Sequence, residues 1–266
     1  EAIRRAGGTP ILFVSGHHAD EHLALANGRG FVAEQVPAVR LPSSAQSIPP
    51  FPFLFTSAIL QARKLLRKHD PNIVLGMGSF ASAPTGFAAI SRRLPLVLHE
   101  GNAWMGRANR LLAPWARAIA VSLPLAPECR PRCHTVQTGM PLREALLTAA
   151  AEPSNAGDKR RGYGLAGDAP TLLVFGGSQG AKAINGRFAE AARMIAEVGG
   201  DIQIIHFTGT DDNVALQRAY ASAGLRAEVR KGDPHIENAY VAADLVVCRA
   251  GASTLSELAL FGKPAI

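Results

Sequence analysis

Short apolar runs recur along the chain, each about as long as a strand, and the stretches between them place apolar residues at helical spacing. The runs predict strands at 10–14, 73–76, 94–99, 118–122, 171–175, 202–207 and 245–248. The helical patterns fall at 58–68, 107–112, 182–198, 213–223 and 254–261. Continuous apolar strands separated by helices imply parallel βαβ units buried on both faces, an α/β fold. The opening EAIRRAGG reads as the tail of a helix closed by Gly7 or Gly8, and the closing FGKPAI enters a further strand.

The rhythm lapses at 151–170, where the sequence turns polar and rich in Gly and Pro, and a fresh βα series starts at Thr171. The expected division is a first Rossmann-like domain over 1–150, a linker over 151–170 and a second Rossmann-like domain over 171–266. Ligands of such halves sit at the C-terminal ends of the strands.

Two of those strand ends carry notable loops. Phe175 runs into Gly176-Gly177-Ser178-Gln179-Gly180, a strand-to-helix corner with small residues and free N–H groups at a helix start. It suits either tight packing or an anion. A triphosphate loop requires G-x-x-x-x-G-K-[ST] and a dinucleotide loop G-x-G-x-x-G; the corner is neither. The second loop, Arg249-Ala250-Gly251-Ala252-Ser253, leads into a helix carrying Glu257. Three residues after Thr254, that carboxylate fits a capping box, or else it accepts hydrogen bonds from a ribose diol.

The net charge of +7 and sequence pI near 9.8 call for a negatively charged partner: nucleic acid, anionic lipid or a phosphorylated substrate. The charges are scattered and no basic–aromatic array suits base stacking, so no nucleic acid is expected. Cys129, Cys133 and Cys248 form no paired framework, and Cys129-x-x-x-Cys133-His134 lacks a second ligand pair, so reduced thiols are expected rather than zinc. His17-His18 reads as a surface turn. The stretch FPFLFTSAILQARKLLRKHD sets Phe53, Phe55 and Ile59 beside Arg63, Lys64, Arg67 and Lys68. It is either an ordinary amphipathic helix or an anionic-membrane surface, which Ile90, Arg92 and Arg93 extend.

Taken together, GGSQGAKAIN and CRAGASTLSELALFGKPAI resemble the MurG family of peptidoglycan glycosyltransferases. The first half agrees. Gly76-Met77-Gly78-Ser79-Phe80 with Ser82 and Pro84 is similar to the family's GMGGYxSxP loop, Leu98-His99-Glu100-Gly101-Asn102 to its LHEQN, and the segment from Thr138 to Arg143 to its GNPVR. The resemblance implies a GT-B fold, two Rossmann-like domains with the acceptor on the first and a UDP-sugar on the second. It implies inverting transfer of N-acetylglucosamine from UDP-GlcNAc to lipid I at the cytoplasmic face of the membrane, without a cofactor. Gly177, Ser178, Gln179 and Gly180 would face the diphosphate and Arg143 would add positive charge to it. Gly251, Ala252 and Thr254 would cradle the nucleotide and Glu257 would hold the ribose. Ser79, Phe80, His99, Glu100 and Asn102 would line the acceptor pocket, with His99 or Glu100 the base candidates in this chain. There is no D-x-D element, Asp211-Asp212 alone does not supply one, and no metal is expected.

The departures are specific. Ser79 stands for a glycine, Phe80 for a tyrosine and Gly101 for a glutamine, and 231–235 differs from the family's uracil-contacting stretch. The family's first strand and GTGGHxxP loop, with its histidine, are expected ahead of Glu1, and its paired donor-sugar glutamines after Ile266. The chain alone is therefore expected not to turn over. The rival readings are a GT-B enzyme with another lipid or small-molecule acceptor, and a non-catalytic nucleotide- or nucleic-acid-binding protein.

Overall fold

The apolar runs become the strands of parallel sheets. The computed structural model describes residues 2–16, 19–39, 50–152, 155–177, 182–198, 200–210 and 213–266. It divides into two compact units, Glu1–Gly139 and Met140–Ile266. The first runs α1 (Ala2–Arg5), β1 (Ile11–Val14), α2 (Ala19–Gly28), β2 (Val32–Gln35), α3 (Phe51–His69), β3 (Val74–Gly76) and α4 (Ala83–Ser91). It continues with β4 (Leu96–Glu100), α5 (Arg107–Leu112), β5 (Ala118–Val121) and β6 (His134–Gln137). β1 and β2 pair as a two-stranded sheet, and the other four strands form a parallel sheet in the order β3-β4-β5-β6. Leu96, Leu98, Leu112 and Ile119 fill the core on one face, while Ala62, Leu66, Ala88 and Ala89 seal α3 and α4 together.

α3 starts earlier than its periodicity predicts. Pro50 stands at the N-cap and Pro52 inside the first turn, where the missing N–H has no intrahelical partner to lose, so the aromatic FPFLF coils instead of extending. The helix stops at Asp70, which adopts a left-handed φ of 41° ahead of Pro71.

The second unit opens with α6 (Glu144–Ala151) and α7 (Ala156–Gly162), then runs β7 (Thr171–Phe175), α8 (Lys182–Val198), β8 (Gln203–Phe207), α9 (Val214–Ser222) and β9 (Ala227–Arg230). It ends with α10 (Ile236–Ala242), β10 (Leu245–Cys248) and α11 (Ala252–Phe261). Its parallel sheet has the order β10-β7-β8-β9. After α11 the chain caps at Gly262 in the left-handed region and lies along β10, Val246 bridging Ala265.

Two boundary expectations are corrected. The unit break falls between Gly139 and Met140, so 140–150 belongs to the second unit: Leu146 of α6 is wholly buried in that unit's core with Tyr240 and Leu258. Nor is 151–170 merely a linker. Asn155 caps α7 by accepting the Gly157 N–H, Arg160 is buried, and Tyr163 and Leu165 enter the core. Charged residues hid a helix whose inner face carries only a few apolar contacts.

Strands β2, β6 and β9 escaped the hydrophobic pattern because each lies at a sheet edge, where polar residues are tolerated. All four residues of β6 are exposed. The opposite case is β8, buried throughout yet carrying Gln203 and His206. Gln203 exchanges hydrogen bonds with the Ala166 backbone (2.7 and 2.8 Å). His206 lies between Tyr220 Oη (2.8 Å) and Asn185 Oδ1 (3.1 Å), and burial lowers its pKa to about 4, so the ring is neutral. Asn185 donates in turn to the Thr208 carbonyl oxygen, fastening α8 to the end of β8.

Candidate functional site

In the second unit the strand order reverses at β7. The chain builds outward from β7 through β8 and β9, then returns to add β10 on β7's other side. In an open α/β sheet that reversal leaves a crevice beyond the strand ends. Phe175 and Cys248, the last residues of β7 and β10, are register partners, so the two loops singled out above emerge side by side. Gly177 has a φ of 87° and is exposed, the left-handed backbone that glycine permits. Ser178, Gln179 and Gly180 lie outside the described residues.

Across from Gly177's strand, α11 begins with Gly251 at the N-cap and Ala252 in the first helical position. Thr254 therefore stands in the first turn rather than at the cap, and its Oγ1 approaches Gly251. That placement removes the capping box. Glu257 instead accepts a hydrogen bond from the Tyr240 hydroxyl at 2.7 Å through Oε2. Tyr240 lies wholly in the core, and no periodicity in the sequence pairs α10 with α11. Arg143 sits exposed at the N-cap of α6, its Nη1 donating to the Pro234 carbonyl oxygen at 3.3 Å, near enough to Tyr240 for its charge to be felt there. The segment before α10 is braced from beneath: Tyr163 donates to Asp233 (2.7 Å), and His235 Nδ1 is 3.0 Å from Glu237.

In the first unit Gly76 pairs with Leu98, so the loops after β3 and β4 also leave neighbouring strand ends. Gly78 has a φ of 91°, and a Cβ there would stand 3.1 Å from the His99 carbonyl oxygen; only glycine fits. Ser79 has an ordinary extended backbone (φ −71°), so its replacement of glycine causes no strain, and its Oγ caps the following turn through the Ala81 N–H. Phe80 is half-buried and stacks near Phe55 and Phe51.

His99 is buried, its Nε2 3.1 Å from Ser122 Oγ. Glu100 is buried at the end of β4 and accepts four hydrogen bonds. Asn102 N and Nδ2 reach Oε1 at 3.0 and 3.2 Å, while Gly106 N and Asn109 Nδ2 reach Oε2 at 2.7 and 2.9 Å. A carboxylate has about four lone-pair positions, and all are taken. Those four bonds fold the 101–109 turn around Glu100, with Asn102 part of its cage, and leave His99 as the base candidate without such a cage.

The expected membrane-facing set separates. Phe53 is 77% exposed, and Lys64 and Arg93 are exposed. Ile59 and Ile90 pack against the first unit's cores, Arg63 is half-buried, and Arg92 pairs with Asp70 at 3.5 Å. The outer stripe of α3 is instead Phe53, Leu60, Lys64 and Arg67, apolar at one end and basic at the other. On the other side of the same helix, half-buried Phe55 meets the rings of Phe80 and Phe87, and Phe87 meets Trp115. Among the described residues no helix is long and apolar enough to cross a membrane.

Cys129 and Cys133 pack on the first unit's core, Cys129 Sγ accepting the Met105 N–H, and the three thiols are free. Among the described residues no group of three or more His, Cys, Asp or Glu could hold a metal ion. His17, His18, Asp211 and Asp212 lie outside the described residues.

Residues 12–121 match the model of the glycosyltransferase family 28 N-terminal domain, and residues 171–266 that of the family 28 C-terminal domain. A Syntrophotalea carbinolica protein, named UDP-N-acetylglucosamine--N-acetylmuramyl-(pentapeptide) pyrophosphoryl-undecaprenol N-acetylglucosamine transferase, is 43% identical over 212 residues. That match takes in 79% of this chain and 55% of the relative, so the chain spans little more than half of that protein's length. A Frankia casuarinae protein of the same name is 38% identical over 269 residues, covering 100% of this chain and 70% of its own. The crystal structure of MurG from Acinetobacter baumannii superposes with a TM-score of 0.71 at 25% identity, over 99% of this chain and 71% of that one.

Proposed function

The chain belongs to the MurG family of family 28 glycosyltransferases, a GT-B fold of two Rossmann-like units, and from that premise we propose that it transfers N-acetylglucosamine from UDP-GlcNAc to lipid I. The observation that carries the reading is the Phe175–Cys248 register, which sets a glycine-led corner and a helix start with its own carboxylate at neighbouring strand ends.

In this reading the second unit holds the donor. The corner at Gly177, completed by Ser178, Gln179 and Gly180, faces the diphosphate. Gly251, Ala252 and Thr254 border the nucleoside, and Glu257 accepts from the ribose hydroxyls. The acceptor hydroxyl attacks the anomeric carbon from the side opposite the leaving UDP, and negative charge grows on the diphosphate. Backbone N–H groups at helix starts and the Arg143 guanidinium stabilise that charge. On the first unit Ser79 and Phe80 border the acceptor, Glu100 and Asn102 shape its turn, and His99, its ring fixed by Ser122, receives the proton.

The test is UDP binding by calorimetry together with transfer assays on the complete gene product. Glu257→Ala removes charge-assisted hydrogen bonds and is expected to weaken UDP by roughly thirtyfold, about 2 kcal/mol. Arg143→Ala is expected to lower kcat by roughly tenfold, about 1.4 kcal/mol of transition-state stabilisation. Wild-type values in both variants would sink the site assignment.

The acceptor's lipid tail places the first unit against an anionic membrane surface, at the cytoplasmic face. The outer stripe of α3, apolar at Phe53 and Leu60 and basic at Lys64 and Arg67, supports this. Each cation at such a surface contributes ~1 kcal/mol, so neutralising Lys64 and Arg67 together is expected to weaken binding to phosphatidylserine vesicles roughly thirtyfold. Flotation that is equal for wild type and variant, or indifferent to anionic lipid, removes the membrane claim.

A further inference from the structure

We propose that Tyr240 is a positioning residue of the donor site, its hydroxyl holding the Glu257 carboxylate in the one orientation that meets a ribose cis-diol. The inference rests on the reading of Glu257 as the ribose acceptor and adds a second residue that no motif marks.

Glutamate reaches its carboxylate through three rotatable bonds, and on a half-buried helix face several rotamers compete. Here one is selected from below. Tyr240 is completely buried in α10 and its hydroxyl lies 2.7 Å from Glu257 Oε2. The ring itself cannot shift. It stacks on Phe261 at 5.1 Å and 16° and meets Phe175 edge-on at 6.1 Å and 84°. Phe261 ends the helix that carries Glu257, and Phe175 ends the strand that feeds the Gly177 corner. One ring therefore ties the ribose-binding helix to the diphosphate-binding strand.

The chemistry of the bond fits the role. Burial, and then the neighbouring carboxylate, pushes the Tyr240 phenol far above the ordinary tyrosine range, so it remains a donor at every working pH. The tether takes one lone pair of Oε2. Among the described residues Oε1 has no hydrogen-bond partner, so each carboxylate oxygen keeps an acceptor position unused. Two adjacent hydroxyls match two adjacent oxygens; a carboxylate free to spin would meet only one of them at a time.

The experiment measures binding of UDP and 2′,3′-dideoxy-UDP to the wild-type chain, Tyr240→Phe and Glu257→Ala. Wild type is expected to prefer UDP roughly thirtyfold, and Glu257→Ala to lose that preference. Tyr240→Phe, which keeps both ring contacts, is expected to bring the preference to within about threefold while leaving dideoxy-UDP affinity unchanged. A purely structural tyrosine would weaken both nucleotides alike. Full preference in Tyr240→Phe with loss in Glu257→Ala overturns the Tyr240 role and leaves Glu257 in place. Preference retained in Glu257→Ala, or no UDP binding by wild type, overturns the donor-site reading itself. Should Tyr240→Phe fail to fold, ring-labelled tyrosine in the wild-type chain decides. The Tyr240 signal is expected to move with UDP and not with dideoxy-UDP, and equal responses overturn the role.

Discussion

Replacing Glu100 with alanine is expected to destabilise the first unit by about 4 kcal/mol, a large share of what holds a single domain folded. The loss is not that of one hydrogen bond. The carboxylate accepts from Asn102 N and Nδ2, from Gly106 N and from Asn109 Nδ2, all within 3.2 Å. Asn109 is fully buried, and its remaining Nδ2 bond is to the His99 carbonyl oxygen. Removing the carboxylate leaves the fully buried Asn109 amide without one acceptor and the partly buried Gly106 N–H without its own, and that desolvation penalty dominates. Glu100→Gln is expected to fare little better, because its amide would turn N–H groups toward N–H groups. Both tryptophans of the chain, Trp104 and Trp115, lie in this unit, so fluorescence during urea unfolding reports it alone. A Glu100→Gln variant with a wild-type urea midpoint and no transfer activity would restore Glu100 as a chemical group. A lowered midpoint that accounts for the lost activity identifies it as the peg on which the acceptor turn hangs.

The same cluster explains why the glycine at 78 is obligatory while the glycine expected at 79 is not. Gly78 approaches the His99 carbonyl oxygen with a left-handed backbone, and a Cβ there would stand only 3.1 Å from it. Ser79 is one residue past that constriction, in an extended conformation open to any side chain.

What could be read from the sequence follows from how each signal is encoded. Strands β7 and β10 carry continuous apolar runs because helices cover both their faces, and their bounds are those the pattern predicts. The helices after the two glycine loops were legible from amphipathic spacing and turn residues. Edge strands such as β6 were not, since an exposed edge imposes no pattern. The motif at 98–102 marked a site, but which role Glu100 plays depended on Asn109, and only the folded turn brings that amide to the carboxylate. The Tyr240–Glu257 bond was hidden for the same reason: a buried tyrosine in an apolar helix looks like any other core residue. The assignment of α3 to a surface held more information than its basic count suggested. Ile59 and Phe53 are equally apolar, and only the helix phase, set by Ala58, Ala62 and Leu66 facing inward, turns one to the core and the other out.

Arg160 gives the second large effect, in the segment whose sequence looks least structured. Arg160→Met is expected to destabilise the second unit by about 3 kcal/mol. Its guanidinium donates through Nε to the Ala242 carbonyl oxygen at 2.9 Å, through Nη1 to Gly167 at 3.1 Å, and through Nη2 to both oxygens of Asp244 at 2.8 and 2.9 Å. Those partners lie in the loop after α7 and in the turn between α10 and β10, so one side chain closes the unit's first helices onto its last strand. The ion pair is the lesser part. The Asp244 side chain is 54% exposed, so water screens the attraction and Asp244→Asn is expected to cost only about 1 kcal/mol. Asparagine also retains an oxygen for the Thr171 N–H, which Asp244 Oδ2 accepts at 2.7 Å. Arg160's bonds to backbone carbonyls have no such substitute, because a methionine leaves buried acceptors unpaired. All three tyrosines, Tyr163, Tyr220 and Tyr240, belong to this unit, and their absorbance during urea unfolding separates it from the tryptophan-bearing one. A shift at Arg160 well beyond that at Asp244 is the expected order. The reverse order would make the salt bridge, rather than the carbonyl clamp, the fastening of α7. Since α7 packs on α10, and α10 carries the tyrosine that holds Glu257, loosening this clamp is expected to reach the donor site as weakened UDP binding in the folded variant.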